Sequence, residues 1–165
     1  MNFRIEQISS ESELLLFLPV IQKSFKTVAD ELGLNEANAP TNPAFTTREK
    51  LTELMRRSEC FGMYEGDEPA GFFALEYAKD KPELYIERLC VMPEKRHNGY
   101  GRTALCLAAD SARESGCERI SIGIINENRV LKKWYIDFGF TETSVRKFEH
   151  LPFEVCFLEF GPGKA

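Results

Sequence analysis

The stretch Arg96-His97-Asn98-Gly99-Tyr100-Gly101 decides the fold, because it joins an apolar run typical of a strand, residues 84–91, to a run typical of a helix, residues 100–115. A turn that opens a helix presents unpaired main-chain N–H groups at the positive end of the helix dipole, which favours an anionic phosphate. Gly99 and Gly101 lack the Cβ atoms that would keep a pyrophosphate at a distance. Arg96 and Arg102 can add charge-assisted hydrogen bonds. The stretch therefore indicates a nucleotide-like ligand.

The same pattern also fits a tight strand-to-helix connection that binds nothing. Two common phosphate motifs do not match: the sequence has no Gly-x-x-x-x-Gly-Lys-Ser/Thr, and Ala104 stands where the dinucleotide fingerprint has its third glycine. A second element downstream supports the ligand. It begins at Asn128, continues through Tyr135 and ends in Gly139-Phe140.

Together the two elements resemble the markers of the GNAT superfamily of N-acetyltransferases. That family's acetyl-coenzyme A loop follows a strand and reads Arg/Gln-x-x-Gly-x-Gly/Ala, and its other marker is an Asn followed by an aromatic-rich helix that ends in Gly-Phe. The resemblance covers residues 59–160, and residues 147–159 are similar to small bacterial single-domain members. It implies an α/β fold with a mixed, mostly antiparallel central sheet of about seven strands, flanked by about four helices.

Sequence patterns predict the same order of elements. Capping boxes at Ser10 and Thr46 predict the starts of helices that end near Gly33 and Arg57, and Pro19 predicts a kink or a division of the first helix. Alternating or apolar runs predict strands, and two further amphipathic runs predict helices. The predicted strands are 3–8, 60–64, 71–77, 84–91, 119–125, 141–148 and 153–160, and the two later helices are 100–115 and 130–138.

Composition limits the classes of function. A chain of 165 residues with 43% hydrophobic and 28% charged residues predicts one soluble domain, 1–165. The net charge of −5 argues against nucleic acid as a partner and is compatible with a cationic amine. No apolar stretch has the length of a membrane span or of a signal segment. Five cysteines without metal-ligand spacing and two histidines predict reduced thiols, a cytoplasmic location and no metal site.

The resemblance implies transfer of an acetyl group from acetyl-coenzyme A to a primary amine of a small molecule or peptide. The loop would hold the pyrophosphate, and the preceding strand would bind the pantetheine arm through its main chain. An N–H at Val91 would polarise the thioester carbonyl, although Val91 also suits a strand core. Asn128 would bind the cofactor arm or cap its helix. The implied cofactor-binding residues are Cys90, Val91, Met92, Arg96, His97, Asn98, Gly99, Tyr100, Gly101, Arg102 and Asn128.

Glu87 is the candidate base that takes a proton from the amine. It stands in an otherwise apolar strand, where a carboxylate needs a reason to be present. In many GNAT members an acidic residue at this strand position assists the amine, and Glu76 on the preceding strand is the reserve candidate. The alternative is a carboxylate at an exposed strand end, or one paired with Arg88.

Tyr135 is the candidate acid that protonates the departing thiolate, because it matches the family tyrosine with that role. The alternative is an aromatic residue that packs beside Trp134. Cys90 could suggest an acetyl-cysteine intermediate, but no base lies nearby in the sequence, so direct transfer in a ternary complex is expected.

A non-catalytic module that binds or senses acyl-coenzyme A on the same fold is the alternative function. Convergence of Glu87 and Tyr135 on the thioester position would distinguish an enzyme from such a module. The acceptor cannot be read from the sequence, and a homodimer is possible because dimers are common among similar proteins.

Overall fold

A computed structural model describes residues 2–164. Its strands are β1 (Phe3–Gln7), β2 (Glu59–Glu65), β3 (Glu68–Tyr77), β4 (Glu83–Val91), β5 (Arg119–Ile125), β6 (Thr141–Lys147) and β7 (Glu154–Phe160). They form one seven-stranded sheet in the order β1-β2-β3-β4-β5-β7-β6. Only the β4–β5 pair among the described strands is parallel. The predicted mixed, mostly antiparallel sheet is confirmed.

Helices cover both faces of this sheet. Those within residues 2–164 are α1 (Glu11–Leu15), α2 (Leu18–Glu31), α3 (Arg48–Arg57), α4 (Tyr100–Glu114) and α5 (Arg129–Phe138), and short 3₁₀ turns occur at Pro43–Phe45, Pro93–Lys95 and Pro162–Lys164. Apolar residues of α4 and α5 pack on one face, and those of α1, α2 and α3 pack on the other. Burial of these two apolar surfaces stabilises the sheet by roughly 25 cal/mol per Å².

Helix starts follow the predicted caps with one exception. The Ser10 hydroxyl accepts a hydrogen bond from the Glu13 N–H, as predicted, and the first helical segment is divided between α1 and α2, with Pro19 in the first turn of α2. The prediction that Thr46 caps α3 is wrong. Thr47 accepts from the Lys50 N–H, whereas the Thr46 hydroxyl donates to the Pro43 oxygen at 2.6 Å and closes the preceding turn.

A buried carboxylate fixes the start of the parallel strand pair. Glu83 is 5% exposed. It accepts a hydrogen bond from the Ser121 hydroxyl on β5, and Lys81 and Arg119 lie 3.1 and 3.7 Å from its oxygens. These contacts hold β4 and β5 together at one end, so the strands can diverge only toward the other.

Candidate active site

The candidate site begins where β4 and β5 separate. Between described residues the two strands pair only at Glu83–Arg119, Leu84–Ile120 and Tyr85–Ser121, although β4 continues to Val91 and β5 to Ile125. Beyond Tyr85 a gap opens toward the carboxyl ends of both strands. Such crevices are where ligands of open α/β sheets commonly bind.

The N–H of Val91 points into this gap. The N–H of Met92 donates to the Ala70 oxygen beside β3 at 2.8 Å, and successive N–H groups of a strand point to opposite sides. The main-chain oxygen of Cys90 also lies on the β3 side, 2.6 Å from where a Cβ on Gly71 would stand. The strand thus directs one donor, at Val91, away from β3 and toward the space that β5 has left.

The loop that follows has a geometry suited to an anion. His97 and Gly99 have positive φ values, 66° and 85°, directly before α4. Within the described chain, the main-chain N–H groups of residues 97–102 donate no hydrogen bond. A Cβ built on Gly99 would meet nothing within 4 Å, so this side of the loop is open. His97 and Asn98 are exposed, and the Asn98 amide donates back to the Lys95 oxygen at 3.0 Å.

The Arg96 side chain points into the protein. Its Nε donates to the Val91 oxygen at 3.1 Å and its Nη2 to the Ser24 oxygen at 2.7 Å, with the Thr27 hydroxyl at 3.4 Å. The guanidinium therefore holds the loop against β4 and α2. A direct phosphate contact by this side chain, as the sequence suggested, would compete with these bonds.

Tyr100 enters the site only through its main chain. Its ring is 2% exposed and packs edge-on against Phe3 with the centroids 4.3 Å apart. Its hydroxyl donates to Glu65, which also accepts from Lys95 at 2.7 Å. Glu65 thereby ties both ends of the loop to β2, and the hydrogen bond from Lys95 lowers the pKa of the Glu65 carboxyl.

Gly101 and Arg102 contact α5. A Cβ on Gly101 would lie 2.9 Å from the Trp134 ring, so this glycine allows α4 and α5 to approach closely. From the sequence, we expected that Gly101 lacks a Cβ so that a pyrophosphate can approach the loop. The close packing of α4 on α5 is a separate reason for a glycine at this position. The Arg102 guanidinium lies 5.4 Å from the centroid of the Phe138 ring.

Cys90 is a buried thiol at the end of β4. It is 8% exposed, and burial raises its pKa to about 12. The thiol is therefore protonated at neutral pH and a poor nucleophile, which agrees with the expectation of direct transfer.

Tyr135 is buried against the aromatic residues of α5 and its C-terminus. It is 2% exposed, and its ring meets Trp134 and Phe140 edge-on at centroid distances of 4.9 and 5.3 Å. Burial, with a smaller contribution from the neighbouring Cys90 thiol, raises its pKa well above the usual phenol value. The phenol therefore remains protonated and lies near the end of β4. Asn128 caps the same helix, since its side chain accepts from the Leu131 N–H at 3.2 Å.

Glu87 faces a separate cleft of about 650 Å³, lined also by Arg56, Arg57, Glu76, Tyr77, Lys79 and Tyr85. Its side chain is 32% exposed and lies 3.6 Å from an Arg88 nitrogen. Burial raises the pKa of Glu87, the Arg88 and Arg57 guanidinium groups oppose the rise, and adjacent Glu76 adds to it. Glu87 on β4 thus faces an open cleft, whereas Tyr135 lies in the core, so the two side chains do not line one cavity.

Sequence reasoning missed several residues that shape the site. Glu65 and Ser24 act through contacts 30 or more residues away in sequence, with Lys95 and Arg96 respectively. Arg57 pairs with Glu76 at 3.4 Å. From the sequence, Arg88 was expected only as a partner of Glu87, although a charged pair inside an apolar strand indicates that both residues have a role.

Residues 2–164 lack two kinds of feature. No helix there is both long and apolar enough to cross a bilayer. The same part of the chain has no group of three or more His, Cys, Asp or Glu side chains that could hold a metal ion.

Comparison with known sequences gives a family match. The sequence model described as the acetyltransferase (GNAT) family matches residues 29–140. GCN5-related N-acetyltransferase 6, chloroplastic, of Arabidopsis thaliana is 33% identical over 76 residues, which are 46% of this chain and 26% of that protein. The uncharacterised N-acetyltransferase YvbK of Bacillus subtilis (strain 168) is 27% identical over 95 residues, 57% of this chain and 60% of that protein. The matched part thus spans about a quarter and three fifths of these relatives.

Comparison with solved structures supports the fold. The PaiA N-acetyltransferase of Thermoplasma acidophilum, solved in complex with coenzyme A, superposes with a TM-score of 0.81 at 19% identity, covering 98% of this chain and 99% of that one. At this identity the likeness concerns the fold alone.

Proposed function

This chain belongs to the GNAT acetyltransferase family, and we propose that it transfers an acetyl group from acetyl-coenzyme A directly to a primary amine of a small molecule or peptide, in a ternary complex. One observation carries the proposal. The β4–β5 gap receives the Val91 N–H and leads to a loop with six main-chain N–H groups that have no acceptor among the described residues. A thioester joined to a diphosphate needs this combination of donors.

The residues present fit acetyl-coenzyme A as cosubstrate. The N–H groups of residues 97–102, at the positive end of the α4 dipole, would hold the diphosphate. Gly99 leaves the approach open, and Arg96 and Glu65 keep the loop in position from behind. Val91 would donate to the thioester oxygen, where negative charge develops during attack.

Glu87 would remove the first proton. An amine with a pKa near 10 is mostly protonated at neutral pH. Burial raises the pKa of Glu87, which makes its carboxylate a stronger base for this proton, taken directly or through water. The free amine then forms the C–N bond as the C–S bond breaks. One amine proton leaves through Glu87 to solvent, and the other ends on the coenzyme A sulfur.

Tyr135 would assist the departing sulfur. Its phenol stays protonated because burial raises its pKa, so it can donate a hydrogen bond to the developing thiolate and pass on the second proton. The thiol formed has an ordinary pKa of about 8.5, below that of the phenol. Tyr135 must therefore regain its proton from the amine as the bond breaks.

The burial of Tyr135 also gives the alternative function its support. A module that only binds acyl-coenzyme A would need the loop and the gap, and would keep Tyr135 as a core residue. The two functions differ in turnover. Thiol release from acetyl-coenzyme A should therefore be followed with polyamines, amino acids, aminoglycosides and peptide N-termini. An amine-dependent rate is expected, whereas tight binding of acetyl-coenzyme A with no rate on any amine would establish the binding module.

A further inference from the structure

Four charged side chains cluster at and beside the Glu87 cleft: Arg57, Glu76 and Glu87 line it, and Arg88 adjoins it through its ion pair with Glu87. Arg57 at the end of α3 pairs with Glu76 on β3 at 3.4 Å, and Arg88 on β4 pairs with Glu87 at 3.6 Å. We name these four residues the charge quartet. It contains two guanidinium groups and two carboxylates, so its formal charge is zero. The cleft is also lined by Arg56 and Lys79, so cations outnumber carboxylates there, and such a site suits a ligand that carries a carboxylate as well as an ammonium group.

Arg88 is the unusual member of the quartet. It has a φ of 52° within a strand, at the position where the β3–β4 register shifts between Phe72 and Ala74. A non-glycine residue with positive φ inside a strand is strained, and such strain is found chiefly where function maintains it. The bulge brings two consecutive charged residues, Glu87 and Arg88, to the same cluster of charges.

The Arg88 guanidinium has too few hydrogen-bond acceptors around it for all of its N–H groups. Its side chain is 16% exposed, and its Nε is buried with no hydrogen-bond partner in the described chain. Its ion pair at 3.6 Å is with its own neighbour in sequence and is long for a charge-assisted hydrogen bond. Burial of a guanidinium is unfavourable unless acceptors compensate it. A carboxylate on a bound ligand would supply two.

Arg88 also lies beside the reaction. Glu87, which would take the amine proton, precedes it, and Val91, whose N–H faces the gap, follows three residues later. An anion held by Arg88 is therefore close to an amine held by Glu87. Polyamines carry no anion for Arg88, so a guanidinium that their ammonium groups displaced from Glu76 or Glu87 would find no new acceptor on the ligand.

From this geometry we infer that the acceptor is a small zwitterion, an amine that carries a free carboxylate within a few bonds, as a free amino acid does. The Arg88 guanidinium, assisted by Arg57, binds the carboxylate, and Glu87 and Glu76 receive the ammonium. Such recognition presupposes the proposed acetyl transfer and specifies its acceptor. The products are the N-acetyl amino acid and coenzyme A thiol.

The test compares amino acids with their carboxamides, which keep the side chain and the amine but lose the anion. With wild-type protein and acetyl-coenzyme A, we expect kcat/KM at least tenfold higher for the best acid than for its amide. Equal values, or a higher value for the amide, overturn the inference while acetyl transfer itself stands. Binding of the acid and the amide, measured by calorimetry with coenzyme A present, extends the comparison to a protein that shows no turnover.

Variants assign the preference to Arg88. Arg88→Met should raise KM for the acid at least tenfold and abolish the preference over the amide, with coenzyme A affinity unchanged. Arg48→Met is the matched control, because Arg48 begins the helix that ends at Arg57, is 63% exposed and pairs with Glu11 away from the cleft. If Arg88→Met does not fold, Arg57→Met should reduce the preference severalfold. A preference that survives in Arg88→Met, or in Arg57→Met where that variant replaces it, contradicts the assignment.

The outcomes separate the two proposals. Binding of the acid in preference to its amide, without turnover of any amine, rejects the acetyltransferase and retains the carboxylate site. Turnover of amines without preference for a carboxylate retains the acetyltransferase and rejects the carboxylate site. If no amine turns over and the acid does not bind better than the amide, both proposals are rejected.

Discussion

The Arg96 guanidinium donates to the main-chain oxygen of Ser24 at 2.7 Å, which links the loop before α4 to the middle of α2 across 72 residues of sequence. The same side chain reaches the Val91 oxygen. Arg96 therefore joins the proposed diphosphate loop, the strand with the proposed thioester donor and the helix on the opposite face of the sheet.

Arg96→Lys should weaken coenzyme A binding about tenfold, as measured by calorimetry. A lysine cannot reproduce the planar fork that bonds Val91 and Ser24 together, so the loop loses its support. Arg48→Lys is the control, since Arg48 is 63% exposed and its ion pair with Glu11 lies far from the loop in sequence. Unchanged affinity in Arg96→Lys would show that the loop keeps its conformation without the hydrogen bonds from the Arg96 side chain.

Substitution of Gly99 and of Gly101 by alanine should each lower the free energy of unfolding, for different physical reasons. Gly99→Ala meets no atom within 4 Å, but its φ of 85° costs an alanine about 1–2 kcal/mol. Gly101→Ala meets the Trp134 ring at 2.9 Å and should displace α5. Denaturant unfolding should show both losses, and Trp134 fluorescence should change only for Gly101→Ala. Gly163→Ala, with open space around it, should match wild type. A fluorescence change in Gly99→Ala as well would contradict this separation.

Tyr135→Phe should lower kcat at least tenfold while the dissociation constant of acetyl-coenzyme A changes less than twofold. The ring packing against Trp134 and Phe140 is retained, so only the proton donor is lost. Tyr64→Phe, which removes a hydroxyl 3.4 Å from Glu13, serves as the control. Equal loss of rate and affinity, or no loss, would assign Tyr135 to packing.

The dependence of kcat/KM on pH should report the ionisation of the Glu87 carboxyl. Its pKa is raised above the ordinary 4.5 by burial, and a base must be ionised, so kcat/KM should fall as pH drops through this raised value. In Glu87→Gln the rate should be lower at neutral pH and this acidic limb should disappear, whereas the limb from amine protonation remains at higher pH. Glu118→Gln, an exposed carboxylate, should keep the wild-type profile. A limb that persists in Glu87→Gln would transfer the role to Glu76 or to water.

Cys90→Ala should retain most of the turnover, because a thiol with a pKa of about 12 is not a nucleophile at neutral pH. Mass spectrometry after incubation with acetyl-coenzyme A should find no acetylated Cys90 in the wild type. Stability should fall by about 1 kcal/mol, since a buried sulfur is removed. Loss of turnover together with an acetyl-enzyme would favour a ping-pong route.

Local patterns in the sequence predicted the elements and their order well. The predicted strand 119–125 agrees with β5 at both ends, and the predicted helix from residue 100 begins where α4 does. Strand alternation, helix periodicity and caps act over a few residues, so a single sequence records them. The cap of α3 was wrong because Thr46 and Thr47 are chemically equivalent, and only the turn from Pro43 decides between them.

The sequence by itself determined the fold class, the glycine turn that we propose binds a diphosphate, and a carboxylate, Glu87, inside an apolar strand. Only the tertiary structure showed that the Arg96 side chain holds the turn by bonds to the rest of the protein, and that Gly101 leaves room for the Trp134 ring. It also showed that Arg57 and Glu76 lie in one charge cluster with Glu87 and Arg88. The reason is physical: these relationships depend on side-chain directions and on strands and helices that are distant along the chain. The positive φ of Arg88 could not be predicted from the sequence either, because a bulge arises from the pairing of two strands.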